Sequence, residues 1–160
     1  MVTTPGANLL AYVDSLKKHE QVFLTLHKQL IEDIVATGRK DSKFGPSKIL
    51  MEKGIRYESS VWGKRVDYER RNENAYRSAR AALLTTLRNM GARKSASYLY
   101  KQWNAIEKIL PTLEKALVKP ENWASGRGRE VMYKTAERLF YLQEQIVNQL
   151  TTLEQQLQKR

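Results

Sequence analysis

Few residues in this chain have the types and spacing that catalysis or metal binding requires. Its only histidines are His19 and His27. On one helix their side chains would lie about two turns apart and about 80° round the axis, which is too far to share a metal ion. The chain has no cysteine, which excludes a thiolate metal site and a thiol nucleophile. The sequence therefore predicts a protein that is not an enzyme and that uses neither a metal nor a cofactor.

Carboxylates and glycines also lack a catalytic pattern. Many carboxylates stand beside a cation, as Glu69 stands beside Arg70, and this favours solvated ion pairs. Neither the P-loop nor the dinucleotide-binding glycine motif occurs. The segment from Gly126 to Gly128 has two interpretations. It is either an ordinary flexible loop or a phosphate site at the beginning of the last helix. In the second case backbone N–H groups and the side chains of Arg127 and Arg129 would contact the phosphate.

Positive charge is the strongest functional signal. The 160 residues include 28 Lys and Arg against 17 Asp and Glu, and the formal net charge is +11. Residues 38–94 hold 15 basic and 6 acidic side chains, whereas residues 1–37 have a net charge of −1 and residues 95–160 of +3. A concentrated excess of this kind attracts polyanions, although a solvated charged face gives the same composition. The candidate residues for binding a nucleic-acid backbone are Arg39, Lys40, Lys43, Lys64, Arg65, Arg70, Arg71, Arg77, Arg88, Arg93, Lys94, Arg127 and Arg129.

The elements that would position these cations are predicted to be helices. Apolar residues recur at three- and four-residue steps along most of the chain, which is typical of amphipathic helices. The predicted helices span residues 8–36, 47–63 with an interruption at Gly54, 66–90, 95–119 and 129–158, with loops at 38–46 and 120–128. The predicted fold is all-α, a single bundle of about five helices over residues 1–160 with a long C-terminal helix.

The third and last predicted helices have the clearest faces. Arg70, Arg77 and Arg88 fall within about 20° of one line, opposite a small apolar face that includes Ala79. Residues 132–157 carry an apolar heptad seam interrupted by one polar residue, Gln143.

Residues between these helices give further signals. Gly91 is a suitable C-terminal cap for the third helix, and Ser95 is a candidate cap for the fourth. The fourth helix also carries Tyr98, Tyr100 and Trp103. These rings are either core-boundary residues or surfaces on which bases stack.

Charge and predicted architecture together resemble a known family. The relevant residues are the row of Arg70, Arg77 and Arg88, the Lys64-Arg65 pair and the Arg93-Lys94 hinge, on a basic bundle without cysteine. This arrangement resembles the small helical subunit of type I or type III CRISPR effector complexes. In some type I systems that subunit corresponds to the C-terminal part of the large subunit, made separately. The resemblance implies a non-catalytic role in antiviral defence, with several copies holding DNA or guide RNA by its backbone beside other protein subunits.

Two other classes remain open. One is a plasmid- or phage-type helical DNA-binding protein that acts alone, as a dimer formed through the 132–157 seam. The other is a helical adaptor whose basic middle docks on an acidic protein. No apolar run approaches the length of a membrane span, so we expect no membrane partner. The absence of cysteine does not reveal the compartment, and the reducing cytoplasm is the default expectation.

Overall fold

Four long helices form the protein, as seen in a computed structural model that describes residues 5–39, 46–51 and 54–158. They are α1 (Pro5–Arg39), α2 (Ser60–Asn89), α3 (Arg93–Leu117) and α5 (Gly126–Gln158). A short helix α4 (Pro120–Ala124) precedes α5, and strands β1 (Pro46–Met51) and β2 (Gly54–Ser59) precede α2. The fold class predicted from the sequence is confirmed: the protein is an all-α bundle with a long C-terminal helix, to which a β-hairpin is added.

The four long helices occupy the corners of a bundle. Helix α1 packs against α2 and α5, and α3 packs against the same two helices. Consequently α1 and α3 lie at opposite corners. Each helix is amphipathic and directs its apolar stripe inward, so that Val13, Leu83, Leu99 and Leu139 are completely buried. Burying these stripes together removes apolar surface from water and supplies the main driving force for the fold.

The heptad seam of α5 faces this core. Its members from Met132 to Leu153 are buried, and Leu157 at its end is half-buried. The seam is satisfied within the chain, so it is unavailable for the dimer that one alternative required. The alanine face of α2 is less enclosed than predicted, because Ala79 is half-buried whereas Ala75 is exposed.

The segment between Pro46 and Ser59 corrects one predicted helix. It forms an antiparallel hairpin in which Pro46 pairs with Ser59 and Met51 with Gly54. The two strands are separated by two residues, a spacing that suits a tight hairpin, and their β-branched and aromatic residues favour extended backbone. The strands are too short to show an apolar alternation that would have revealed them. Helix α2 consequently begins at Ser60, where the Ser59 hydroxyl caps it by accepting a hydrogen bond from the Trp62 N–H at 3.1 Å.

Further boundaries differ from those predicted, and α1 itself spans Pro5–Arg39 instead of residues 8–36. Helix α3 begins at Arg93 without a side-chain cap, so Ser95 lies inside it, and it continues past Pro111 to Leu117. The predicted loop at 120–128 contains α4, which begins at Pro120 because a proline at the first helical position needs no hydrogen-bond donor. Helix α5 begins at Gly126 instead of residue 129. None of the described helices combines the length and the apolarity needed to cross a membrane.

Candidate nucleic-acid interface

A tight turn joins α2 to α3 and brings together the cations near their adjoining ends. Gly91 adopts the left-handed conformation with φ of 83°, which confirms its predicted role as the residue that ends α2. The N–H of Ala92 donates to the carbonyl of Leu87 at 2.8 Å and closes the last turn of the helix. Arg88 therefore lies just before the turn and Arg93 just after it, and both are exposed.

Near the start of α2, the exposed arginines have carboxylate partners. Arg70 lies 3.0 Å from one oxygen of Asp67, and Arg71 lies 2.6 Å from the other. The hydrogen bond from Arg70 holds the pKa of Asp67 below its usual range, so this carboxyl stays ionised. One carboxylate thus offsets one of the two positive charges at this point.

The middle of α2 has a second group of ion pairs. The Nε atom of Arg77 lies 3.2 Å from Glu73, and its Nη1 lies 3.8 Å from Glu107 of α3. Arg80 approaches the same oxygen of Glu107 at 3.0 Å. The arginine row predicted from the sequence is therefore uneven, because Arg70 and Arg77 are paired with carboxylates, whereas no carboxylate among the described residues lies within ion-pair distance of Arg88.

Arg88 belongs to a different electrostatic environment. Its guanidinium carbon lies 5.9 Å from the centre of the Tyr100 ring of α3, within the range of a cation–π contact. Between Glu73 and Glu107 the sequence contains no carboxylate, and the cations in that interval are Arg77, Arg80, Arg88, Arg93, Lys94 and Lys101. We call the exposed side chains of Arg88, Arg93, Lys94 and Lys101 the turn surface. Among the described residues, no carboxylate lies within ion-pair distance of any of these four cations.

Arg65 does not lie on this surface, which corrects its expected position. Its residue is only 5% exposed, and its Nη2 donates to Glu69 at 2.8 Å. Its guanidinium also lies over the rings of Trp62 and Phe23, at 4.8 and 5.5 Å from their centres. A cation enclosed by a carboxylate and two rings serves the packing of the bundle. The adjacent Lys64 is exposed.

The start of α5 is also built for packing. Gly128 is buried, and a Cβ atom there would lie 2.5 Å from the Cα atom of Asn122, so only glycine fits. The Ser125 hydroxyl accepts the Gly128 N–H at 2.9 Å, and Arg129 donates to the Trp123 carbonyl at 2.8 Å. These groups are engaged within the chain, whereas Arg127 is exposed.

Three of the predicted cations precede the β-hairpin. Arg39 is the last residue of α1, and its side chain is not among those described. Lys40 and Lys43 lie outside the described residues. The structure accordingly places none of these side chains relative to the turn surface.

The aromatic residues of α3 divide into two groups. Trp103 is only 1% exposed, so it is a core residue and is not available for base stacking. Tyr98 and Tyr100 are 37% and 50% exposed, respectively. The Tyr98 hydroxyl donates to Gln145 of α5 at 3.3 Å. Tyr98 and Tyr100 therefore remain candidates for contact with a base.

A polar layer inside the bundle was not predicted. Glu20 of α1 is fully buried, and its Oε1 accepts hydrogen bonds from the Tyr76 hydroxyl of α2 and from the Trp103 indole N–H of α3, the latter at 2.9 Å. The other oxygen, Oε2, has no hydrogen-bond partner among the described residues. Burial raises the pKa of Glu20 to about 7, although the two hydrogen bonds and nearby Arg80 act in the opposite direction.

The histidines lie near this layer. His19 is half-buried, and its Nδ1 lies 2.7 Å from the Tyr68 hydroxyl. His27 is only 2% exposed, and burial lowers its pKa well below the usual range. Gln143, the polar member of the α5 seam, is also buried. The sequence did contain a signal for this layer. Glu20 lies four residues after Leu16 and three before Phe23, so it occupies a position of the apolar stripe of α1.

Comparison with known proteins identifies no relative of this chain. No family model, no curated protein and no solved structure matches this chain.

Proposed function

We propose that this protein binds the backbone of a nucleic acid through the turn surface, without catalysis and without sequence specificity. The observation that carries the proposal is the interval between Glu73 and Glu107, which has six cations and no carboxylate. Where its exposed cations meet at the α2–α3 turn, the local field is positive and attracts phosphates.

The geometry favours the turn surface over the rest of the arginine row. A phosphate at Arg70 or Arg77 must compete with Asp67 or Glu73, with which those arginines already form ion pairs. At Arg88 and Arg93 no such carboxylate is within ion-pair distance among the described residues. Arginine suits the task because its planar group donates two hydrogen bonds to one phosphate and stays charged.

The test compares two pairs of charge removals. One variant combines Arg88→Gln with Arg93→Gln, and the control combines Lys18→Gln with Lys28→Gln on α1, at the corner opposite α3. Glutamine is nearly as good a helix former as either cation, so the helices should persist. Binding of a labelled oligonucleotide is measured by fluorescence anisotropy between about 50 and 200 mM salt, where backbone binding weakens steeply.

The two variants should separate clearly. Loss of two phosphate contacts reduces the slope of log affinity against log salt by about 1.4 for a single strand and about 1.8 for a duplex. The α1 control should change the slope by less than half of that. An equal decrease in salt slope in both variants would show that binding depends only on the total charge of the protein. Binding by the unmodified protein that does not change with salt would exclude the proposal and favour an adaptor for an acidic protein.

The narrower proposal is that the chain acts in a CRISPR effector complex, as its resemblance to the small subunit of such complexes implies. Support for it is limited to the basic all-helical architecture and the absence of cysteine. Expression of the tagged chain in its native cells should then copurify guide RNA and larger protein subunits. Recovery of the chain with DNA alone would favour the plasmid- or phage-type alternative.

A further inference from the structure

The outer face of α3 carries a row of lysines that extends the turn surface. Lys94, Lys101, Lys108 and Lys115 recur every seven residues, and all four are exposed. Seven residues are 20° short of two full turns and rise about 10.5 Å, so the row is about 32 Å long and turns by about 60° round the helix from Lys94 to Lys115. Among the described residues no carboxylate lies within ion-pair distance of these lysines.

Two exposed rings flank this lysine row near its beginning. Tyr100 lies on the side of α2, where the Arg88 guanidinium approaches its ring. Tyr98 lies on the side of α5, where its hydroxyl meets Gln145. The stretch from Lys94 to Lys101 therefore has a cationic line at its centre and an aromatic ring on either side. Proteins that bind single strands combine such a line of cations with aromatic rings on which bases stack.

We infer that the lysine row binds a single-stranded nucleic acid, extended along the axis of α3, with bases stacked on Tyr98 and Tyr100. This inference rests on the proposed function and adds the class of nucleic acid to it. A flexible single strand can follow this slowly turning row along its whole length. Each strand of a duplex instead completes a turn in about 34 Å, so it faces such a row for only part of that distance. The bases of a duplex are also stacked on each other and unavailable to the tyrosines.

The experiment uses the full chain with two labelled probes, a 20-nucleotide oligothymidine and a 20-base-pair duplex. We expect the single strand to bind at least 10-fold more tightly than the duplex at the same salt concentration. Combining Lys101→Gln with Lys108→Gln should reduce the salt slope for the strand by about 1.4, since each lost contact contributes about 0.7. The α1 double variant at Lys18 and Lys28 is the control for charge.

The tyrosines are tested separately from the charge. Combining Tyr98→Leu with Tyr100→Leu should weaken strand binding at least 10-fold while the salt slope stays constant, because stacking releases no counterions. Tyr12→Leu on α1, where a half-buried tyrosine lies at the corner opposite α3, is the control and should leave binding unchanged. Circular dichroism establishes that each variant keeps its helices.

The outcomes distinguish this inference from the proposed function. Equal affinity for strand and duplex, or strand binding that survives loss of Lys101 and Lys108, would overturn the inference and leave the proposed function in place. Absence of binding to either probe at about 50 mM salt would overturn both. If the variant without Tyr98 and Tyr100 binds the single strand as tightly as the unmodified protein does, the proposed base stacking is wrong.

Discussion

Replacing Glu20 by glutamine should make the stability of this bundle less sensitive to alkaline pH. The amide is nearly the same size as the carboxyl, and its oxygen can still accept hydrogen bonds from Tyr76 and Trp103. It carries no charge at any pH. The variant therefore removes the titration of the buried group and preserves the contacts around it.

The size of the effect follows from the pKa of Glu20. Burial raises that pKa from the ordinary 4.5 to about 7 in the folded protein. The folded state thus holds the proton more tightly than the unfolded state, and the stability gained at low pH is lost as pH rises from about 4.5 through 7. Each pKa unit corresponds to 1.36 kcal/mol, so the complete loss is about 3 kcal/mol, most of which falls between pH 5 and pH 8.

Urea denaturation followed by circular dichroism measures this difference. The free energy of unfolding of Glu20→Gln, relative to the unmodified protein, should rise by about 2–3 kcal/mol from pH 5 to pH 8. His27 acts in the opposite direction, because its lowered pKa costs stability as pH falls below 6.5. That contribution is common to both proteins and cancels. Glu32→Gln, at an exposed position of the same helix, is the matched control and should show no such rise.

One result would refute the reasoning directly. If the stability difference between Glu20→Gln and the unmodified protein is the same within about 0.5 kcal/mol at pH 5 and pH 8, then Glu20 ionises in the folded bundle as it does in the unfolded chain. Burial of the Glu20 carboxyl would then not disfavour its ionised form.

Two packing predictions concern α5. Gly128→Ala should destabilise the protein by about 1–3 kcal/mol, because its Cβ atom would meet the backbone of Asn122. Gly126→Ala should not destabilise it, because its Cβ atom would make only an ordinary contact with the Arg129 side chain at 4.0 Å. Leu150→Ala should cost about 2–5 kcal/mol because Leu150 is completely buried, and Val131→Ala at an exposed position should stay within about 0.5 kcal/mol. Thermal or urea unfolding measures both pairs, and a Leu150 variant as stable as the Val131 variant would contradict the placement of the seam in the core.

Sequence patterns predicted the helices whose apolar residues recur at a regular spacing over many residues. The seam of α5 has seven buried members at heptad spacing, and its periodicity alone indicated a core-facing helix. Gly91 was identified because a left-handed residue at the end of a helix is nearly always glycine. The hairpin between Pro46 and Ser59 was missed because each strand has only six residues, too few to establish a period.

The candidate interface was predicted only in outline. The charge excess of residues 38–94 indicated where cations are dense, but pairing and burial depend on contacts between helices. Arg65 and Arg77 look alike in the sequence, yet one lies among core rings and the other bridges to α3. The lysine row lies mostly outside the basic middle of the chain. It becomes part of one surface only because the tight turn at Gly91 folds α3 back along α2.

The buried carboxylate of Glu20 also limits how the helices can slide past each other. Apolar stripes repeat along each helix, so a shift of α1 by one heptad would still bury leucines against leucines. Such a shift would place Val13 or His27 opposite Tyr76 and Trp103, and neither replaces the two bonds that Glu20 accepts. It would also leave the Glu20 carboxyl buried without its donors, at a cost of several kcal/mol. We therefore expect this one polar contact to select a single axial alignment among those that the apolar core alone would tolerate.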